Sequence, residues 1–197
     1  MISYLRGRLV QKEPAFLIID VNGVGYQVLI SLNTYSEIKE KEDITLLTML
    51  VVREDAHILY GFATSAEKIM FQQLISVNGI GPGTAMMVLS SMNPVDLKKA
   101  ILKEEVHTLQ SVKGIGAKTA QRLILELKDK VKKDGAEISS ETNQAGAHNI
   151  IRNEALSALM TLGISRQAAE KSIDLVLKKS GNNLSLEELV KIALKNA

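Results

Sequence analysis

Two glycine-bounded turns in the middle of the chain have the residue types and spacing best suited to binding a charged ligand. Residues 76–85 read Ser-Val-Asn-Gly-Ile-Gly-Pro-Gly-Thr-Ala, and residues 111–120 read Ser-Val-Lys-Gly-Ile-Gly-Ala-Lys-Thr-Ala. They share Ser-Val-x-Gly-Ile-Gly-x-x-Thr-Ala at an offset of 35 residues. Each segment lies between a predicted helix and a following apolar helical run. A repeated turn of this kind is far more specific than a single glycine motif.

The chemistry that such turns favour is phosphate binding through backbone N–H groups. Glycine permits a positive φ and lets a ligand approach the backbone. The first N–H groups of the next helix have no partner within that helix and carry the positive end of its dipole. We therefore predict a DNA phosphate-binding set in both turns: Asn78, Gly79, Ile80, Gly81, Gly83, Thr84, Lys113, Gly114, Ile115, Gly116, Lys118, Thr119 and Arg122.

Different members of this set have different expected roles. The side chains of Ile80 and Ile115 should point inward and anchor each turn to the core. Lys113, Lys118 and Arg122 should add phosphate contacts. Because the contacts are with phosphates, recognition should depend on shape and only weakly on sequence. The alternative is a pair of helical hairpins that bind nothing, and two copies in a basic segment make it the weaker interpretation.

The other glycine-rich phosphate motifs fail on spacing. A nucleotide-binding P-loop needs G-x-x-x-x-G-K-[ST], and Lys118-Thr119 supplies only its end, because Val112 and Ala117 occupy the glycine positions. A dinucleotide fingerprint needs G-x-G-x-x-G after a strand, whereas Gly79, Gly81 and Gly83 follow a predicted helix with different spacing. We therefore expect no ATP hydrolysis and no cofactor.

The charge distribution points to the same segment. The chain of 197 residues has a net charge of +2. Residues 63–133 hold eleven Lys and Arg against six Asp and Glu, a net charge of +5, whereas residues 1–62 carry −2 and residues 134–197 carry −1. A polyanion would therefore be met in the middle third, because cationic side chains that neutralise phosphate dominate nucleic-acid affinity.

The flanking segments predict a multidomain α+β protein. Five apolar stretches separated by turn residues predict strands at 2–10, 15–21, 26–30, 44–52 and 57–62, with a short helix at 32–38. They indicate an OB-like β-barrel over residues 1–62. Residues 63–133 form the predicted tandem helix-hairpin-helix domain, with helices at 65–77, 94–103 and 117–131. Thr64 with Glu67 predicts a capping box, and Asn93 before Pro94 an N-cap.

The last third predicts a flexible linker at residues 134–149, followed by a small three-helix domain at 150–197. The linker is polar and aperiodic, and the predicted helices cover about 151–162, 165–179 and 185–195. Ser165 and Ser185 are predicted N-caps, and Ser185 with Glu188 predicts a second capping box. Leu159 and Leu162 belong to an apolar stripe that should form core.

Several classes of site are excluded or disfavoured. Cysteine is absent, which excludes disulfides and thiol nucleophiles and fits a reducing cytoplasm. The three histidines are scattered without carboxylates or a second histidine at ligand spacing, so we expect no metal. We find no signal peptide in the first residues and no apolar run long enough to span a bilayer. We therefore expect a cytoplasmic protein.

The whole chain closely resembles the RuvA family, the Holliday-junction-binding subunits of the bacterial branch-migration complex. The resemblance rests on Ile2-x-x-Leu5-x-Gly7, on residues 51–56 (Val-Val-Arg-Glu-Asp-Ala) with Leu-Tyr-Gly-Phe at 59–62, and on both turns with Lys-Thr-Ala-x-Arg-Leu at 118–123. It implies a non-catalytic subunit that forms homotetramers, one or two of which hold a junction open and square-planar. It also implies that the C-terminal domain contacts the RuvB ATPase, with the RuvC resolvase as a further candidate partner.

The resemblance further implies a role in recombination, DNA repair and the SOS response, and an acidic pin at Glu54 and Asp55. In one respect this sequence departs from the family: Gly83 stands where relatives often carry Lys, so one phosphate contact per subunit is expected to be missing. A general duplex-binding module remains an alternative, although an acidic pin has no use there. A helix-hairpin-helix glycosylase is disfavoured because Asp96, its only candidate catalytic residue, is explained as a helix-start residue.

Overall fold

The computed structural model describes residues 1–38, 41–138, 146–180 and 184–196. The chain divides into two compact units, Met1–Asp134 and Gly135–Ala197. The first unit contains both the predicted barrel and the predicted hairpin helices, and the second contains the C-terminal helices. The domain boundaries given by the sequence remain predictions.

A closed five-stranded barrel forms the first part of the chain. Its strands are β1 (Tyr4–Lys12), β2 (Phe16–Val21), β3 (Val24–Ile30), β4 (Asp43–Val52) and β5 (His57–Phe62), and helix α1 (Leu32–Ile38) connects β3 to β4. The strand order is β1-β2-β3-β5-β4, with β3 and β5 parallel and the other neighbours antiparallel. The predicted OB-like fold is confirmed, and the predicted bounds of α1 and β5 match the observed ones.

Alternation of apolar residues explains why the strands close around a core. Leu17 and Ile19 on β2 are fully buried, as are Val28 on β3 and Leu46 on β4. Successive side chains of a strand point to opposite faces, so residues two apart share the interior. Burying a Leu, Ile or Val side chain contributes about 1.5–3 kcal/mol. Each strand therefore turns its apolar face toward the interior of the barrel.

Among the described residues, five helices follow the barrel: α2 (Ser65–Ile75), α3 (Pro82–Ser91), α4 (Pro94–Leu102), α5 (Val106–Gln110) and α6 (Ala117–Ile138), the last of which ends beyond the boundary of the first unit at Asp134. Their core includes two side chains of the barrel strand β5, Tyr60 and Phe62. The rings of both lie 5.0 Å from the ring of Phe71 on α2, measured between centroids. The barrel and the helices therefore share buried aromatic side chains, which explains why they form one unit.

The predicted helix starts are partly right. Asn93 accepts a hydrogen bond from Asp96 N at 2.9 Å, as predicted. Thr64 accepts one from Glu67 N at 3.2 Å, but the carboxylate of Glu67 does not return to the cap. The prediction of a full capping box there is therefore wrong: the Glu67 side chain is buried against α1, where it bonds to Ser31 and Thr34.

The predicted linker is helical at both ends. Helix α6 was expected to end near Val131 and runs to Ile138, and helix α7 begins at Gly146. The composition of residues 134–149 does not predict these helical ends, because the segment has no apolar stripe and contains Asp134, Gly135 and Gly146, which have low helix propensity. Residues 139–145 of the predicted linker lie outside the described residues.

Three helices form the second unit: α7 (Gly146–Thr161), α8 (Arg166–Ser180) and α9 (Leu186–Lys195). The buried residues described in their core include Leu159, Ile173 and Leu189. The capping box of Ser185 and Glu188 is present in both directions. Leu162, expected in the core, is 62% exposed because α7 ends at Thr161 and Leu162 lies in the turn that follows.

Candidate nucleic-acid interface

The two glycine turns have the same backbone structure. In the first, Val77 N donates to Leu74 O at 3.1 Å and Ile80 N to Val77 O at 3.1 Å. In the second, Val112 N donates to Leu109 O at 3.3 Å and Ile115 N to Val112 O at 3.1 Å. We call these turns, with the helices on either side, the first hairpin (α2 and α3) and the second hairpin (α5 and α6). The sequence repeat therefore corresponds to a structural repeat.

One glycine in each hairpin is required by the backbone. Gly79 has a φ of +93° and Gly114 a φ of +94°. An L-residue with a side chain is strained in this region. The neighbouring Ile80 and Ile115 are 4% and 5% exposed, so their side chains lie in the core, as expected. Only their backbone atoms could face a ligand.

The first helical turn of α3 presents N–H groups without partners in the helix. Pro82 is the first helical residue, and the first helical hydrogen bond runs from Ala85 N to Gly81 O at 3.0 Å. The N–H groups of Gly83 and Thr84 precede it, and Gly81 has no side chain that could cap them. These donors are therefore available at the positive end of the helix dipole.

Helix α6 begins in the same way. Its first helical hydrogen bond runs from Ala120 N to Gly116 O at 2.9 Å, so the N–H groups of Lys118 and Thr119 precede it. Apart from atoms of the neighbouring residues and of the same helix, no heavy atom lies within 4 Å of the position that a Cβ atom would take on Gly116, and the same holds for Gly81 and Gly83. Side chains from elsewhere in the fold therefore do not crowd these glycines.

The three cationic residues predicted to bind phosphate in the second hairpin divide into two groups. Lys113 and Lys118 are exposed beside the turn and the start of α6. Arg122 is also exposed, but its Nη1 donates to the carbonyl oxygen of Asn78 in the first hairpin at 3.1 Å. This contact was not anticipated from the sequence, because the residues are 44 positions apart. It gives Arg122 a structural partner in addition to its expected phosphate contact.

Further contacts join the two hairpins. Lys130 on α6 donates from Nζ to Ser76 Oγ in the first hairpin at 3.1 Å. A side chain at Gly114 would begin 3.2 Å from Met87 Cε and 3.8 Å from Thr84 Cγ2, both on α3. The turn of the second hairpin therefore packs against the first turns of α3. The two hairpins are therefore in direct contact within the first unit.

The predicted acidic pin lies apart from the hairpins in sequence, in the turn between β4 and β5. Glu54 and Asp55 are both exposed there. The turn is closed by a hydrogen bond from Arg53 N to Ala56 O at 2.8 Å. The two carboxylates are therefore adjacent on a short, hydrogen-bonded loop of the barrel.

Glu67, whose spacing from Thr64 predicts a helix cap, is a buried carboxylate. It is 2% exposed, and its oxygens accept hydrogen bonds from the hydroxyl groups of Ser31 and Thr34. Burial raises the pKa of the Glu67 carboxyl group above its ordinary value of 4.5, although both hydroxyl groups act in the opposite direction. Because Glu67 follows Thr64 by three residues, the spacing of a capping box, its burial against Ser31 and Thr34 could not be predicted from the sequence.

Among the described residues, no group of three or more His, Cys, Asp or Glu side chains could hold a metal ion. Over the same residues, no helix has the length and apolar character needed to cross a membrane.

A closed OB-type barrel joined to two matching helical hairpins defines a tandem helix-hairpin-helix protein. The family descriptions that match are "RuvA N terminal domain" over residues 1–61, "SAM-like Helix-hairpin-helix tandem" over residues 71–129 and "RuvA, C-terminal domain" over residues 151–197. The chain belongs to the RuvA family.

Three curated relatives illustrate the similarity, and each is named "Holliday junction branch migration complex subunit RuvA". The protein of Cytophaga hutchinsonii is 54% identical and that of Christiangramia forsetii 47% identical, each match covering 99% of both chains. The protein of Amoebophilus asiaticus is 46% identical, over 99% of this chain and 100% of the relative. The similarity extends over the whole chain, including the C-terminal unit.

Proposed function

We propose that this protein binds four-way DNA junctions by their structure, holds them open and square-planar, and recruits a separate ATPase that drives branch migration. The observation that carries the proposal is that two matching hairpins contact each other within one folded unit. Each hairpin presents N–H groups without helical partners at a helix start, and the second hairpin adds the exposed side chains of Lys113 and Lys118. Helix starts of this kind bind phosphate in any sequence context.

The roles of individual residues follow from this arrangement. Backbone N–H groups of the two helix starts bind phosphates, and Lys113 and Lys118 add positive charge. Glu54 and Asp55 repel phosphates near the centre of a homotetramer, which keeps the four arms apart. One or two tetramers would enclose a junction. The protein itself would convert no chemical energy, since the motor is the partner.

The proposed partner of the C-terminal unit is the RuvB ATPase, with the RuvC resolvase as a further candidate for the assembled complex. Support comes from large apolar side chains that this unit leaves exposed: Met160, Leu162, Leu175 and Leu194. Deleting residues 150–197 is expected to retain junction binding and to abolish stimulation of RuvB-driven branch migration. Loss of junction binding in the truncated chain would contradict this division of labour.

The test of the main proposal is binding to a four-way junction in competition with linear duplex of the same sequence. It is performed without nucleotide and across a salt series. We expect a preference for the junction of about a hundredfold, or about 2.7 kcal/mol, and an affinity that falls steeply with salt. Equal affinity for both DNAs would instead indicate a general duplex-binding module.

A further inference from the structure

The short helix α1 of the barrel is attached to both helices of the first hairpin. At the end of α3, Asn33 Nδ2 donates to Leu89 O at 2.5 Å and to Met92 O at 3.2 Å. Close by, Leu32 N donates to Ser90 Oγ at 3.1 Å. These bonds fix the C-terminal end of α3 against the barrel.

At the start of α2, the attachment passes through the buried carboxylate of Glu67. Thr34 Oγ1 donates to Glu67 at 2.5 Å, and the hydroxyl group of Ser31 donates to its other oxygen. Thr34 Oγ1 also accepts from Ala63 N at 3.0 Å, and Ser31 Oγ accepts from Thr34 N at 3.0 Å. We call Ser31, Asn33, Thr34 and Glu67 the α1 bracket.

Joining the barrel to the first hairpin through a buried carboxylate is energetically unfavourable. Burying a carboxylate disfavours its charged form, and apolar side chains of similar volume would often stabilise as well or better. Tyr60, Phe62 and Phe71 already supply apolar packing between the barrel and α2. Hydrogen bonds add a directional requirement that apolar packing lacks. The bracket therefore constrains orientation more than it adds stability.

The bracket also lies between the two features that the proposed function requires. On the barrel side, α1 follows β3, and β3 pairs in parallel with β5, the strand that follows the turn of Glu54 and Asp55. On the other side, Glu67 lies in the first turn of α2, and Asn33 bonds to the C-terminal end of α3. These two helices form the first hairpin.

We infer that the α1 bracket is a positioning element for junction selectivity, because it fixes the acidic turn of the barrel relative to the phosphate-binding hairpins. This inference rests on the proposed function. Binding to a linear duplex needs only the hairpins, whose turns have their own hydrogen bonds. Binding to a junction needs the hairpins and the acidic turn in one fixed relation.

Thr34 gives the sharpest test, because its side chain is fully buried and two variants separate hydrogen bonding from packing. Thr34→Val keeps the volume and removes the hydroxyl group, whereas Thr34→Ser keeps the hydroxyl group and removes a methyl group. With the full chain, we expect Thr34→Val to lower the preference for junction over duplex about tenfold, with duplex affinity within about twofold of the parent. Thr34→Ser should retain the preference.

Asn33→Ala tests the other end of the bracket, and we expect the same loss of preference. Thr48→Val is the matched control: it removes a buried hydroxyl group of the barrel that donates to Ile2 O at 2.9 Å and not to the bracket, and it should leave the preference unchanged. Thermal unfolding and molar mass in solution are measured for each variant. Asn33→Ala also keeps the test decisive if Thr34→Val fails to fold.

Two results would overturn the inference. One is an unchanged preference in folded Thr34→Val or Asn33→Ala. The other is a loss of preference that accompanies a changed molar mass, because selectivity would then be lost through assembly. A parent protein without any junction preference would instead overturn the proposed function, so the two failures are distinguishable.

Discussion

Replacing Gly114 with Ala should destabilise the first unit by about 1–2 kcal/mol, the usual cost of placing a side chain in the left-handed region. The structure gives two reasons: the φ of Gly114 is +94°, and the new methyl group would meet Met87 Cε at 3.2 Å. The contact should cost little, because Met87 Cε is the end of a flexible side chain that can move away. The backbone conformation therefore accounts for most of the expected loss.

Three other glycines provide matched controls. Gly79 has a φ of +93° and open space around it, so Gly79→Ala should cost the same without the Met87 contact. Gly83 and Gly116 have open space and no positive φ. Replacing either with Ala should change stability by less than about 1 kcal/mol, because a compatible Gly→Ala substitution reduces the entropy of the unfolded chain.

Tyrosine fluorescence during urea unfolding measures the stability of the first unit, Met1–Asp134. The chain has no Trp, and its four tyrosines all lie in the first unit: Tyr4, Tyr26, Tyr35 and Tyr60. A lower midpoint with an unchanged slope would report a loss of stability alone. Equal losses for Gly114→Ala and Gly116→Ala would refute the reasoning, because they would show that φ does not determine which glycines are required.

Three further predictions concern charge. Gly83→Lys should strengthen junction binding and steepen the dependence of log affinity on log salt by about 0.9 for each added phosphate contact; unchanged affinity would exclude a missing contact at this site. Glu54→Ala combined with Asp55→Ala should raise affinity for linear duplex and lower the preference for junctions in the same competition assay, and a retained preference would exclude the pin. Because its folded pKa is raised, Glu67 contributes stability that is present below 4.5 and is lost as the pH rises through the raised value. Urea unfolding from pH 4 to 8 should therefore show Glu67→Gln gaining stability relative to the parent as the pH rises, and a constant difference would contradict the raised pKa.

The candidate site was predictable because its signals are local. A turn that needs a positive φ selects glycine at Gly79 and Gly114, and the following helix start supplies its donors whatever the rest of the fold does. The strands of the barrel were predictable for a similar reason, since apolar alternation and turn residues act over a few positions. The repeat at an offset of 35 residues then indicated two equivalent sites.

The errors arose where a residue had two plausible local roles. Glu67 fits a capping box by spacing, but its side chain turns to hydroxyl groups 33 and 36 positions earlier in the chain. Leu162 continues an apolar stripe, but the helix ends one residue before it. Helix α6 continues beyond Val131 through Lys132 and Lys133, which have high helix propensity, and also includes Asp134 and Gly135, which do not.

The sequence by itself determined the two turns, their glycines, the positive charge around them and the positions of the five strands, because each depends on short-range backbone and side-chain preferences. Only the tertiary structure determined that Arg122 bonds to the other hairpin and that α1 holds both helices of the first hairpin. Those contacts join residues 33 to 59 positions apart. Their geometry depends on how the barrel and helices pack, which no local pattern specifies.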